Sequence, residues 1–194
     1  AQNRAMDYVL TLTLPSMAGL LVLGTPIMQV LFAHGSFSLL DAALSAQSLR
    51  AYALGLPAFV LAKVLAPAFF ARGDTSTPVK IGFFTLTINL ILNLLLMKPL
   101  AHIGPPLASS LAAIVNVSVL AALLIRRDAL RPDASMIRRI ALMGMASIVM
   151  ALALLGLNSL LTMPASHVTF WLAILLSCEV PIGGLLYLLS LHLF

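Results

Sequence analysis

Six uninterrupted apolar runs constrain this chain more than any other feature. They fall near residues 8–32, 51–70, 79–97, 106–125, 137–161 and 168–193. Each is about long enough for a helix to cross a ~30 Å hydrocarbon core, which takes roughly 20 residues. The runs are continuous rather than alternating, which argues against membrane strands. A helix satisfies its own backbone polar groups in lipid, so six transmembrane helices are expected. Apolar residues make up 61% of the 194 and charged residues only 9%, too apolar a balance for a soluble domain of this length to bury. The expected class is therefore an all-α, polytopic membrane protein. A single cysteine, Cys178, excludes a disulfide framework within the chain.

The net charge of +5 could suggest nucleic acid, but its distribution points to topology instead. Arg4, Arg72, Lys80, Arg126, Arg127, Arg131, Arg138 and Arg139 all fall on one side of a six-pass arrangement. Arg50 and Lys98 fall on the other, and Lys63 lies within the membrane. That bias makes the first side, with both ends of the chain, cytoplasmic. The chain opens AQNRAMDYVL without an initiator Met or signal pattern and ends LLSLHLF inside an apolar run. It is expected to be a fragment of a longer protein.

Proline and glycine punctuate the helices. Pro15 and Pro26, with Gly19 and Gly24 between them, make the first helix either a kinked packing element or a hinge. Residues 45–50 are expected as an interfacial turn before the second span. Within that span, Gly55, Ala58, Ala62 and Ala66 form a small-residue stripe suited to close helix contact. Lys63 lies beside the stripe. Pro67 removes the bond to the Lys63 carbonyl, so the helix is expected to break there and leave that carbonyl free. The turn ARGDTSTP follows.

Asn89 and Asn93, four residues apart, share a face of the third helix. Gly104, Pro105 and Pro106 open the fourth, whose face Ser109, Ala112, Ala113 and Asn116 is small and polar. Two readings stand: amides and hydroxyls bonding across a helix interface, or an oxygen-lined cation site lacking its own carboxylate. The run IRRDALRPDASMIRRI is a topogenic basic loop or a surface for anionic headgroups and anionic substrate. Lys63 and Glu179 lie at similar depth, and each buried charge needs protein or water around it. Lys63 either lines a hydrophilic cavity for an anionic substrate, pairs with Glu179, or is structural. There is no G-x-x-x-x-G-K-[ST] phosphate loop, so ATP is not hydrolysed here. His34, His102, His167 and His192 are too scattered for a metal site.

The run LAKVLAPAFFARGDTSTPVKIG resembles a signature of the MurJ (MviN) family of bacterial lipid II flippases, within the multidrug/oligosaccharidyl-lipid/polysaccharide exporter superfamily. Lys63, Pro67, Arg72, Asp74, Thr77, Pro78, Val79 and Lys80 carry the match. MDYVLTLTLPSMAGLLVLGTPIMQVLF is similar to the family's ninth helix, and IGPPLASSLAAIVNVSVL to its twelfth. The resemblance covers essentially the whole chain.

It implies a fourteen-helix fold of two six-helix lobes plus a C-terminal pair, of which this chain supplies helices nine to fourteen. Residues 1–125 would be second-lobe helices, 126–139 a basic cytoplasmic loop, and 140–194 a C-terminal hairpin forming a groove for the lipid tail. It also implies a transporter rather than an enzyme, placed in the bacterial inner membrane. Such a transporter moves undecaprenyl-pyrophosphate-linked peptidoglycan precursor by alternating access, driven by membrane potential. The family's cavity arginines belong to the first two helices and the eighth, so no residue here inherits that role. Lys63, Pro67 and Arg72 are the substrate-cavity candidates. A sodium site of some family members maps to Asn89, Asn93, the Pro105 carbonyl and Ser109, with Asn93 standing where a carboxylate can occur. The implied partners are lipid II, membrane lipids and the N-terminal half of the same protein, with no nucleic acid. A drug or organic-cation antiporter of the same superfamily is the alternative. A membrane-embedded enzyme would need a cluster of Asp, His or Glu at one membrane face, which the sequence lacks.

Overall fold

A computed structural model of the chain describes residues 2–32, 35–130 and 133–160, with backbone alone at 157–160. These residues form six α-helices and one short 3-10 turn, with no strand among them. The helices are α1 (Gln2–Phe32), α2 (Leu39–Ala53), α3 (Leu56–Phe70), α4 (Ser76–Leu100), α5 (Gly104–Arg126) and α6 (Ala134–Leu160). The chain is all-helical, and its long apolar helices make it a multipass membrane protein. The stretch Ser76–Arg126 folds back on itself as α4 and α5, so five membrane-length passes lie among the described residues. The sixth predicted span, with Cys178, Glu179 and the Lys63–Glu179 pairing, lies outside them, as do His34, Arg131, His167 and His192.

Two expectations about the second pass are corrected. It begins at Leu39, not near Ala51, because Ser38 and Asp41 form a capping box. The Ser38 hydroxyl accepts from the Asp41 N–H at 3.1 Å, and the Ser38 N–H donates back to the Asp41 carboxylate at 2.9 Å. Residues 45–50 are thus mid-helix, and Arg50 is no loop cation. Its guanidinium donates to the Thr25 hydroxyl at 3.1 Å, with its stem against Gly24 of α1. The helix also runs through Pro67 and breaks instead at Leu54–Gly55. Pro67 lies in the last turn of α3, where it lacks the N–H that would bond the Lys63 carbonyl but does not end the helix, while Pro57 opens α3 at its first turn.

The helices pack in the order α6, α1, α2/α3, α5, α4, with α1 flanked by α6 and the broken pass and α5 flanked by α3 and α4. Ala18, Val22 and Leu23 of α1 meet Ala146, Met150 and Leu154 of α6. At one end of the bundle Met6, Leu65, Phe69, Ile81, Leu120, Leu124, Leu130 and Met136 close a common core. Two ion pairs lie at the same end, Arg127–Asp74 and Arg139–Asp7. The start of α1, the α3–α4 turn and the α5–α6 connection therefore share one side, as the charge distribution groups them. The basic connection is shorter than expected, because α6 is already helical from Ala134. At the opposite end, Ser48 donates to the His102 carbonyl at 3.1 Å and the His102 ring bonds Gln47 at 3.0 Å. These bonds tie the α4–α5 turn to α2.

Candidate functional site

The cavity candidates divide between a helix face and a turn. Lys63 and Pro67, four residues apart, share one face of α3, and both are exposed. Phe70 continues that exposed face, while Ala58, Leu65 and Phe69 turn inward. Lys63 has no hydrogen bond or ion pair among the described residues. It lies seven residues before the end of α3, about 10 Å along the axis and thus within the membrane-spanning length. Arg72 is exposed in the turn at the end of the same helix. Lys63 is therefore a membrane-level cation that no other described residue pairs with.

The signature turn has a different job, which sequence reasoning missed. Gly73 takes a left-handed conformation, φ +74°, and lets the chain reverse after α3. Asp74 then accepts from the Thr77 N–H at 3.0 Å and the Thr77 hydroxyl at 2.6 Å, capping the start of α4. Arg127, just past α5, donates to the Asp74 carboxylate, reaches Thr77 at 3.3 Å and lies 5.5 Å from the centre of the Phe69 ring. The Arg127 guanidinium, followed by the Thr77 bonds, holds the Asp74 carboxyl well below the usual carboxylate range. One carboxylate thereby fastens the α3–α4 turn to the end of α5. The capping half was visible in D-x-x-T; Arg127, 53 residues away, was not.

A second closure lies at the break between α2 and α3. The Ser110 hydroxyl of α5 donates to the Ala51 carbonyl at 2.6 Å and contacts that of Tyr52 at 3.3 Å. The Tyr52 carbonyl also takes the Gly55 N–H at 3.0 Å, so the Ser110 hydroxyl serves the broken end of α2 beside the backbone's own cap bond. Gly55 permits the approach, since a Cβ there would sit 2.7 Å from the Ser110 backbone. Of the predicted stripe Gly55, Ala58, Ala62 and Ala66, Gly55 is thus the residue that lets α5 approach.

The α4–α5 seam is polar and self-bonded. Asn116 donates to the Thr85 hydroxyl at 3.0 Å, and that hydroxyl donates back to the Ile81 carbonyl at 2.9 Å. Asn89 donates to the Ser109 hydroxyl at 3.3 Å. Asn93 donates to the Asn89 side-chain oxygen at 2.8 Å and to its carbonyl at 3.1 Å. Of the two readings of these residues, amides bonding across the interface is the one observed. Pro105 lies in the first turn of α5, four residues before Ser109 and hence on the same face. The donor set does not fit a sodium ion, which needs oxygens turned toward it. Asn93 presents its NH2, the Asn89 oxygen is already taken, and the set carries no negative charge. The described carboxylates, Asp7, Asp41, Asp74, Asp128 and Asp133, lie near helix ends and turns, none of them in the seam. No cluster of His, Cys, Asp or Glu able to hold a metal occurs among the described residues.

Comparison with known proteins identifies the scaffold. A family model described as lipid II flippase MurJ matches residues 1–176. A probable lipid II flippase MurJ of Rickettsia prowazekii is 42% identical over 135 residues, 70% of this chain and 27% of the relative. The lipid II flippase MurJ of Thermosipho africanus is 34% identical over 115 residues, 59% of this chain and 24% of the relative. Among solved structures, a lipid II flippase MurJ in an inward closed conformation aligns with a TM-score of 0.79 and 28% identity, over 97% of this chain and 37% of that one. The chain spans about a quarter of the length of these curated relatives. The matches lend the antiporter alternative no support. With five passes, a signature turn built into a clamp and a family model matched over most of its residues, this chain belongs to the MurJ family of lipid II flippases.

Proposed function

We propose that the chain forms part of the second lobe of a lipid II flippase, in the bacterial inner membrane, with the Arg127–Asp74 end toward the cytoplasm. It acts with the N-terminal half of the same protein. The observation that carries this reading is Lys63, a cation on a face of a membrane-spanning helix that is exposed among the described residues. A charge facing lipid costs at least ~2.5–3.5 kcal/mol on insertion scales, so such a face lines protein or a water-filled cavity. The family relationship supports a cavity. A flippase moves an anionic lipid-linked precursor between leaflets, and an ammonium at membrane depth gives its pyrophosphate a counter-charge in transit. Pro67 and Phe70 continue this wall of the cavity, and Arg72 stands at its rim. The family relationship supports the membrane potential as the drive.

The test is rescue of flippase-depleted cells by the complete protein carrying Lys63→Ala or Lys63→Arg. A hydrogen bond to a charged group is worth about 1.5–3 kcal/mol. Lys63→Ala is therefore expected to lose roughly tenfold or more in lipid flipping, with Lys63→Arg retaining most of it. Equal flipping by both variants and the unaltered protein would remove Lys63 from the cavity.

A further inference from the structure

The amide ladder of α4 and α5 carries an inference about ion dependence, resting for its transport part on the flippase reading. We propose that Asn93 sets the ion response of this seam, and sets it to none: its NH2 group occupies the position a sodium ion would fill.

Both acceptors of the Asn93 amide, the Asn89 carbonyl and side-chain oxygen, are oxygens that a hard cation would otherwise draw upon. The Asn89 NH2 is spent on Ser109, which turns the Ser109 oxygen toward a donor rather than toward an ion. One turn deeper, Asn116 and Thr85 repeat the pattern, so the ladder extends along the seam without charge. A sodium ion entering here would have to break the bonds that Asn93 makes, and no carboxylate of the seam would compensate its charge. In a low-dielectric span an uncompensated cation is strongly disfavoured. A neutral donor already satisfies the oxygens at no such cost. A carboxylate at position 93 would invert the arrangement: two facing oxygens, one charged, with no proton between them.

The complete flippase, in nanodiscs, is unfolded thermally in sodium chloride and in potassium chloride of equal ionic strength. The unaltered protein is expected to show the same midpoint in both salts. Asn93→Asp is expected to gain a sodium-specific rise on the order of a few degrees with the ion in large excess over its Kd. A sodium-specific rise in the unaltered protein would overturn the inference. So would an Asn93→Asp variant that folds, unfolds cooperatively and stays indifferent to sodium. If that variant does not fold, the unaltered protein alone decides. Lipid flipping in proteoliposomes is scored separately and is expected to run at equal rates in the two salts. A protein indifferent to sodium on unfolding but unable to flip lipid would count against the functional reading and leave the ladder standing.

Discussion

The α4–α5 seam and the outer face of α3 are built from opposite rules. In the seam every amide finds a partner, from Asn116 on Thr85 to Asn93 on Asn89. On α3, which packs directly against α5, the amine of Lys63 meets nothing among the described residues. Polar groups at membrane depth that are mutually satisfied hold helices together. One left open marks where the protein meets something else. On the proposed function the two regions separate stability from transport, and substitutions should fall on one side or the other.

The largest expected effect breaks the functional side. Expressed alone, this chain should not rescue flippase-depleted cells, because an α3 face without its facing wall encloses no path; growth on this chain alone would contradict that. Next comes the closure at Gly55. Gly55→Ala drives a methyl into the Ser110 backbone, and overpacking of this kind costs about 1–3 kcal/mol. The complete protein should show a lowered thermal midpoint, and an unchanged one would show that α5 does not press on Gly55. A smaller loss is expected within the seam. Asn116→Leu removes one interhelical bond, worth about 0.6 kcal/mol in comparable membrane cases, and should lower stability while leaving flipping per folded molecule unchanged. If flipping falls more than stability, the seam is not merely structural and the comparison fails.

The smallest effect is read by pH. Asp74 has a folded pKa depressed below its ordinary 3.8, so its contribution is complete above that value and fades as pH falls through the folded one. At neutral pH, Asp74→Asn should give a modestly lower midpoint. It should also flatten the acid limb of the stability profile below about pH 4, the range where the native clamp is still charged and the unfolded carboxyl is not. An unchanged acid limb would show that Arg127 and Asp74 do not hold the turn.

The passes were legible because lipid demands length and apolar continuity, and α4 and α5 begin and end within three residues of their runs. The Asn89 and Asn93 face was legible too, since helical spacing alone puts both amides on one side. The break in the second pass was misplaced. Pro67 drew attention as a disruptor, yet it sits where a helix is ending; Pro57, preceded by Gly55, was the better sign of one beginning. Arg50 was misassigned because topology counting treats cations as loop markers, whereas here Gly24 and Thr25 of α1 cradle it. The Asp74–Arg127 bond could not be read at all. It joins turns that only the packed bundle brings together.

One consequence of the Ser110 closure concerns motion. The α4–α5 turn is tight, with Gly104 against the Leu96 carbonyl. Asp74 fastens the far end of α4 to the end of α5, and Ser110 fastens α5 to the joint at the head of α3. Fastened at both ends, α3, α4 and α5 make a plate with no slack, in which a shift of one helix drags the other two. On the flippase reading proposed above, this plate should swing as a single body during transport, with bending left to the proline-bearing α1 beside it.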